Sequence, residues 1–255
     1  MQPNDDQHKL KKLIDLGYQL FSSYQLNPYC MLDACRCGGC TSDDDHHYLI
    51  QITLKNIELD VFKFYVNASY SAGETPLNEF KYFLPLFLDF MVQGEHPFLS
   101  ENYFFQRIAS YTQQDWTAEE LSFLQQFAEA YLQYHLHDES NAELTYIVNY
   151  LEMFQSYLFN TEKLADLCLH HPSAYCLIDY ATNIINDGYD DFEKPDDDMY
   201  TARVKNILLP WKSSHDIRQH FIDQYHAFKH KGHRFDVGNA NWVNDWIRGV
   251  QQGKY

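Results

Sequence analysis

Apolar and polar positions alternate along this chain with a helical period over most of its length. Leu10, Leu13, Ile14, Tyr18 and Phe21 fall on one face, with Lys11, Lys12 and Asp15 opposite, which predicts a first helix from Asp5 to about Tyr24. Asn27-Pro28 ends it, because a proline pushes the preceding residue out of the helical region. Tyr48 to Leu54 alternate loosely, the pattern of a short strand near 48–54 or of an extended lead into a helix at about 57–68. Thr75-Pro76 is an N-cap and first-turn pair for a helix from Pro76 to Val92, which Pro85 is expected to kink by removing a backbone bond. Ser100 is placed to cap a short helix through Ile108. Thr117-Ala-Glu-Glu120 is a capping box for a long helix to about His135, with Leu121, Leu124, Phe127, Ala128, Tyr131 and Leu132 as its buried stripe.

The same period continues beyond. Ser140 opens a helix with Leu144, Ile147, Val148, Leu151, Phe154 and Leu158 along one face, Asn160 or Thr161 starts the next, and Pro172 starts one reaching about Asn186. Residues 187–198 break the pattern with an acidic loop. Further helices are expected at about 199–208, 213–229 and 239–251, the last with Trp242 and Trp246 on one face. No repeat of fixed period is present. Helix following helix through short links predicts an all-α fold, an irregular multi-helix bundle. It is read as a single domain over 1–255, with the acidic loop as the place where a C-terminal helical subdomain, 199–255, would divide off.

Composition agrees with that pattern. Tyr (20), Phe (18) and Trp (4) supply the apolar surface that disordered chains lack. Gly (10) and Pro (8) are too scarce for a turn-rich β fold. Lys and Arg number 19 against 36 Asp and Glu, a net charge of −17. Such a field repels phosphate backbones, so nucleic acid is not an expected partner, and it attracts a basic protein surface. The plainer reading of the same charge is solubility alone. Met1 to Lys12 is polar, with no apolar targeting core. Phe80 to Val92 is interrupted by Lys81, Pro85 and Asp89 and is shorter than the ~20 residues that span a bilayer. No membrane association and a cytoplasmic location are therefore expected.

In that compartment crowded cysteines are thiols or metal ligands rather than disulfides. Cys30, Cys35, Cys37 and Cys40 lie in one short stretch. Zinc takes four soft or borderline ligands in a tetrahedron, and Cys37-Gly-Gly-Cys40 has the spacing of a zinc knuckle, with two glycines to let the backbone curl round the ion. Cys30 and Cys35 would complete the shell, or His46 and His47 would substitute. The competing reading is unligated thiols in a packed loop, since zinc modules usually bring ligand pairs from separated segments and Cys35 and Cys37 diverge unless the chain is tightly folded. A redox role lacks the strand-then-helix setting of thioredoxin-type motifs. Cys168 and Cys176 read as buried thiols in helices.

Other chemistry is thin. His135 and His137, like His170 and His171, are too close in sequence to share a helical face. His226 and His230 do share one, beside Asp223, in the manner of a solvated surface. H-E-x-x-H, G-x-S-x-G, P-loop and G-x-G-x-x-G motifs are all missing, so no catalytic residue is assigned and an enzyme is not the expected class.

Cys37 and Cys40, then Glu79-Phe-Lys-Tyr-Phe-Leu-Pro85, then Asp115-Trp-Thr-Ala-Glu119 resemble an uncharacterised bacterial protein family. That family carries a C-x-x-C motif, an acidic-Phe-basic-x-Phe-Leu-Pro segment and a tryptophan ahead of its next long helix. The similarity covers residues 30 to about 170. It implies a helical fold and places the two cysteines in the family pattern, while Leu86 stands where members often carry Arg. No activity comes with it.

Two functions follow from these readings. The first is an acidic partner-binding protein, most concretely a cognate immunity protein that neutralises a bacterial toxin by occluding it. Its expected contact residues are Tyr189, Asp190, Asp191, Phe192, Glu193, Asp196, Asp197 and Asp198, aromatic anchors set among acids. The second is a zinc-binding structural or metal-dependent protein centred on the cysteines from Cys30 to Cys40.

Overall fold

Helix boundaries follow the caps that the sequence offers. The computed structural model describes residues 3–27, 29, 31–37, 39–68, 76–95, 104–105, 107–108, 111–137, 147–171, 173–185, 199–232 and 237–254. Among them are eleven α-helices and no strand, an all-α multi-helix fold. Two compact units are distinguishable within it, Met1–Tyr131 with Ser156–Phe159, and Leu132–Gln155 with Asn160–Tyr255.

The first unit contains α1 (Pro3–Leu20), α2 (Asp43–Gln51), α3 (Leu59–Asn67), α4 (Leu77–Val92) and, up to Tyr131, α5 (Ala118–His137). Leu10, Leu13 and Ile14 of α1 are buried, as their spacing predicted, and α1 lies along α4. Helix α4 continues through Pro85 and carries the centre of this core: Phe80, Phe83, Leu84, Phe87 and Leu88. Phe83 meets Phe62 and Tyr65 of α3 at ring distances of 5.7 and 4.6 Å. Aromatic pairs at such distances add roughly 0.5–1.5 kcal/mol each beyond their buried area. Ser156–Phe159 is sewn into this unit by Tyr157, whose hydroxyl donates to the Ile108 carbonyl at 3.0 Å, and by Phe159, edge-on to Phe105 at 5.1 Å.

One expectation is overturned here. Residues 48–54 form no strand: Tyr48 to Gln51 are the last turns of α2, and Leu54–Asn56 is a 3₁₀ turn. Ser42 and Asp45 decide this. The Ser42 hydroxyl accepts from the Asp45 N–H at 3.1 Å, and the Asp45 carboxylate accepts from the Ser42 N–H at 2.8 Å. This reciprocal cap starts a helix within Asp43-Asp-Asp-His-His, whose three carboxylates favour the positive helix end. The loose alternation that follows is a short helical stripe with Leu49 buried.

The second unit contains α6 (Ile147–Met153), α7 (Thr161–His170), α8 (Ala174–Asp179), a π-helical turn at Tyr180–Ile185, α9 (Met199–Ser213), α10 (His215–His230) and α11 (Val237–Gln251). Asn160 caps α7 and Ser214 caps α10, each accepting from a backbone N–H three residues on. Tyr180 lies at the centre, stacked on Phe221 at 4.1 Å and edge-on to Trp246 at 5.4 Å, with its hydroxyl donating to the Trp211 carbonyl. The helices of 199–255 belong to this unit together with 132–155.

Candidate metal centre

The cysteine segment is an irregular loop of the first unit, anchored on both sides. On the near side Leu32 and Ala34 are buried, and the Asp33 N–H donates to the Glu79 carboxylate of α4 at 3.3 Å. Tyr65 of α3 also donates its hydroxyl to Glu79. Burial pushes the Glu79 carboxyl above its ordinary range, against those two donors. On the far side the Thr41 N–H and hydroxyl both donate to the Cys35 carbonyl, at 3.2 and 2.8 Å.

Thr41 fixes a histidine as well. His46 is fully buried, and its Nε2 lies 2.6 Å from the Thr41 hydroxyl oxygen. The hydroxyl proton already goes to Cys35, so His46 Nε2 carries the proton and donates it. Nδ1 is then a buried lone pair with no hydrogen-bond partner. Burial first, and the Arg36 charge second, hold this imidazole below its ordinary pKa, in the neutral form.

Between the anchors the chain curls tightly enough to bring Cys35, Cys37 and Cys40 together, their sulfurs all within 4.8 Å of one another. Around zinc, with Zn–S bonds of about 2.3 Å, tetrahedral sulfurs sit roughly 3.8 Å apart. Cys35 and Cys37 therefore converge, which their adjacent spacing argued against. Cys37 is exposed, and Cys35 and Cys40 are half-buried. The Cys37 thiol is pulled down to about 7 by hydrogen bonds, the Cys35 thiol first, then the N–H groups of Gly39 and Cys40, then the Cys40 thiol. Cys35 is shifted up, chiefly as the donor to Cys37.

Of the other expected ligands, His46 and His47 do not join this group. Cys30 lies outside the described residues. His46 Nε2 is spent on Thr41, and His47 Nδ1 donates to the Asp43 carbonyl at 2.7 Å. The acidic contact residues Tyr189 to Phe192, Glu193 and Asp196 to Asp198 also lie outside the described residues. His226, His230 and Asp223 are exposed, as a solvated face should be, and Cys168 and Cys176 are buried. Among the described residues no helix is long and apolar enough to cross a membrane.

Two polar groupings were not foreseen. In the first unit Lys81 is buried, and its ammonium donates to Glu120 at 2.9 Å, to the Asp115 carbonyl at 2.8 Å and to the Tyr24 hydroxyl at 3.0 Å. It also sits 4.5 Å from the centre of the Trp116 ring. Glu120 further accepts from the Tyr24 hydroxyl and from the Thr117 N–H. Burial raises the Glu120 carboxyl, but Tyr24, Thr117 and Lys81 outweigh it and hold the group below its ordinary range. In the second unit the Nε2 atoms of His137 and His171 meet at 3.1 Å. A separate groove of about 500 Å³ in this unit is lined by Glu162, Asp166, Leu169, Arg203, Ile207 and Trp211.

The cysteine loop is the grouping among the described residues whose geometry could hold a metal ion. No family model matches the chain, and no curated protein or solved structure matches it.

Proposed function

We propose that this chain is a metal-binding protein in which Cys35, Cys37 and Cys40, with Cys30 as a fourth thiolate, hold a zinc ion that fixes the loop at 30–42. The observation that carries this reading is the convergence of three sulfurs within 4.8 Å on a backbone anchored at Asp33 and Thr41. Thiolate ligation is eased where a thiol already ionises near neutral pH, as Cys37 does. The role is structural rather than catalytic, because four thiolates close the shell and leave no open position. Elemental analysis of protein purified without chelator should find about one zinc per chain, since a tetrahedral thiolate site holds a single ion. Joint substitution of Cys37 and Cys40 by Ser should abolish it. Protein that takes up no zinc on reconstitution would sink the proposal.

A second reading is favoured by the net charge of −17 and the acidic run at 187–198. In it the protein is an immunity protein that occludes a basic toxin domain, with Tyr189 and Phe192 as anchors. Acidic surfaces accelerate encounter with basic partners, and the rate falls with salt. Co-purification from the native host should recover a basic partner whose capture weakens when Tyr189 and Phe192 are changed to Ala. Recovery of no stable protein partner would end this reading.

A further inference from the structure

We infer that the cysteine loop is also a peroxide-responsive thiol switch, with Cys37 as the sulfur that attacks a hydroperoxide and Cys40 as the sulfur that then closes a disulfide. This deepens the metal-site proposal, resting on the same three converging sulfurs, but it does not require that the site hold zinc.

Two features single out Cys37. It is the exposed member of the cluster, whereas Cys35 and Cys40 are half-buried. Its sulfur accepts hydrogen bonds from the N–H groups of Gly39 and Cys40, which fix its position beside Cys40.

The partner is chosen by backbone freedom. Both other sulfurs lie within 4.8 Å of Cys37, and disulfide formation must shorten one separation to about 2.05 Å. The Cys35 carbonyl is pinned by two hydrogen bonds from Thr41, and only Arg36 separates Cys35 from Cys37. Gly38-Gly39 lies between Cys37 and Cys40, and glycine gives that segment the dihedral range to close.

The chemistry balances with hydroperoxide as the oxidant. The Cys37 thiolate attacks one peroxide oxygen, the O–O bond breaks, Cys37 becomes a sulfenic acid and hydroxide leaves. The Cys40 thiolate then attacks the Cys37 sulfur, the S–S bond forms, the S–O bond breaks and a second hydroxide leaves. Two electrons pass from the two sulfurs to the peroxide. Disulfide sulfurs are poor zinc ligands, so in zinc-loaded protein the same step would expel the ion, and a thiol reductant would restore the site.

The test uses the full chain stripped of metal with a chelator and treated with hydrogen peroxide. Free thiols are then alkylated and the linkages mapped by mass spectrometry. A Cys37–Cys40 disulfide reversed by dithiothreitol is expected. In Cys40→Ser the Cys37 sulfenic acid should persist and be trapped by dimedone. Recovery of Cys37 as the alkylated free thiol, or a disulfide joining a different pair, would overturn the inference. Mapping the unaltered chain settles this even if the variant does not fold. Zinc content is measured separately. Zinc-free protein that forms the disulfide removes the metal proposal and leaves the switch, and zinc-binding protein that forms none removes the switch alone.

Discussion

At the scale of single residues, the most consequential side chain of the first unit is Lys81. Its three ammonium protons all have acceptors, and both Lys81 and Glu120 side chains are 3% exposed. Removing one partner leaves the other charge buried and unpaired, which typically costs 3–5 kcal/mol. Lys81→Met should therefore lose about 3–5 kcal/mol in urea denaturation. Lys81→Met combined with Glu120→Leu should recover only part of it, because an apolar pair replaces the ion pair while the Tyr24 hydroxyl, the Thr117 N–H and the Asp115 carbonyl lose those partners. His46 carries a second residue-scale prediction. Its folded pKa lies below the ordinary value of about 6.5, so on acidification the unfolded chain takes up a proton that the folded chain resists. The contribution is fully present above about pH 6.5 and is lost as pH falls toward the folded value. Denaturation at about pH 7.5 and about pH 5.5 should show a smaller loss for His46→Gln, which keeps a donor for Thr41 without titrating.

At the scale of elements, close approach of helices is set by the smallest residue between them. Gly17 of α1 faces Phe123 of α5, and a Cβ at position 17 would come within 2.8 Å of the ring. That ring is buried and held edge-on by Phe21 at 5.7 Å, so it has little room to yield. Glycine to alanine inside an exposed helix gains up to about 1 kcal/mol. Here Gly17→Ala should instead destabilise by about 1–3 kcal/mol, the usual cost of overpacking, as read from a denaturation midpoint. Adding Phe123→Leu should relieve part of the loss. The capping residues show how legible the elements were. Thr117 with Glu120, Asn160 and Ser214 mark their helix starts within a residue or so of where the sequence placed them. Neither the strand nor the extended lead considered at 48–54 formed, because Ser42 and Asp45 form a box whose influence runs through Gln51. A loose two-residue alternation is a weaker signal than a reciprocal cap.

For the whole molecule the governing quantity is the charge of −17. Uncompensated negative charge destabilises a folded chain by self-repulsion, and salt relieves it. Raising monovalent salt from about 0.01 M to about 0.15 M shortens the screening length from about 30 Å to about 8 Å. Thermal denaturation should shift upward by about 2–4 °C, the change that about 1 kcal/mol produces in chains of this size. A flat or falling midpoint would mean that local pairing already offsets the charge. Exposed pairs such as Arg36 with Asp43 at 3.5 Å and Lys55 with Asp15 at 3.6 Å are worth little each, so little offset is expected from them.

The sequence by itself determined the helical class, most helix starts, most of the buried stripe positions that the described residues test, and the sign of the charge. Each depends on residues within a turn or two of one another, or on a simple sum, and needs no knowledge of the fold. Spatial convergence had to come from tertiary structure. His137 and His171 looked unpromising beside their sequence neighbours, yet the ends of α5 and α7 bring their Nε2 atoms together. Lys81 looked like an interruption of an apolar run, and α4 instead buries it against Glu120 and Trp116. The cysteines were visible as a motif, but their spacing left Cys35 and Cys37 free to diverge. The anchors at Asp33–Glu79 and at Cys35–Thr41–His46 are what hold the loop tightly enough to gather three sulfurs.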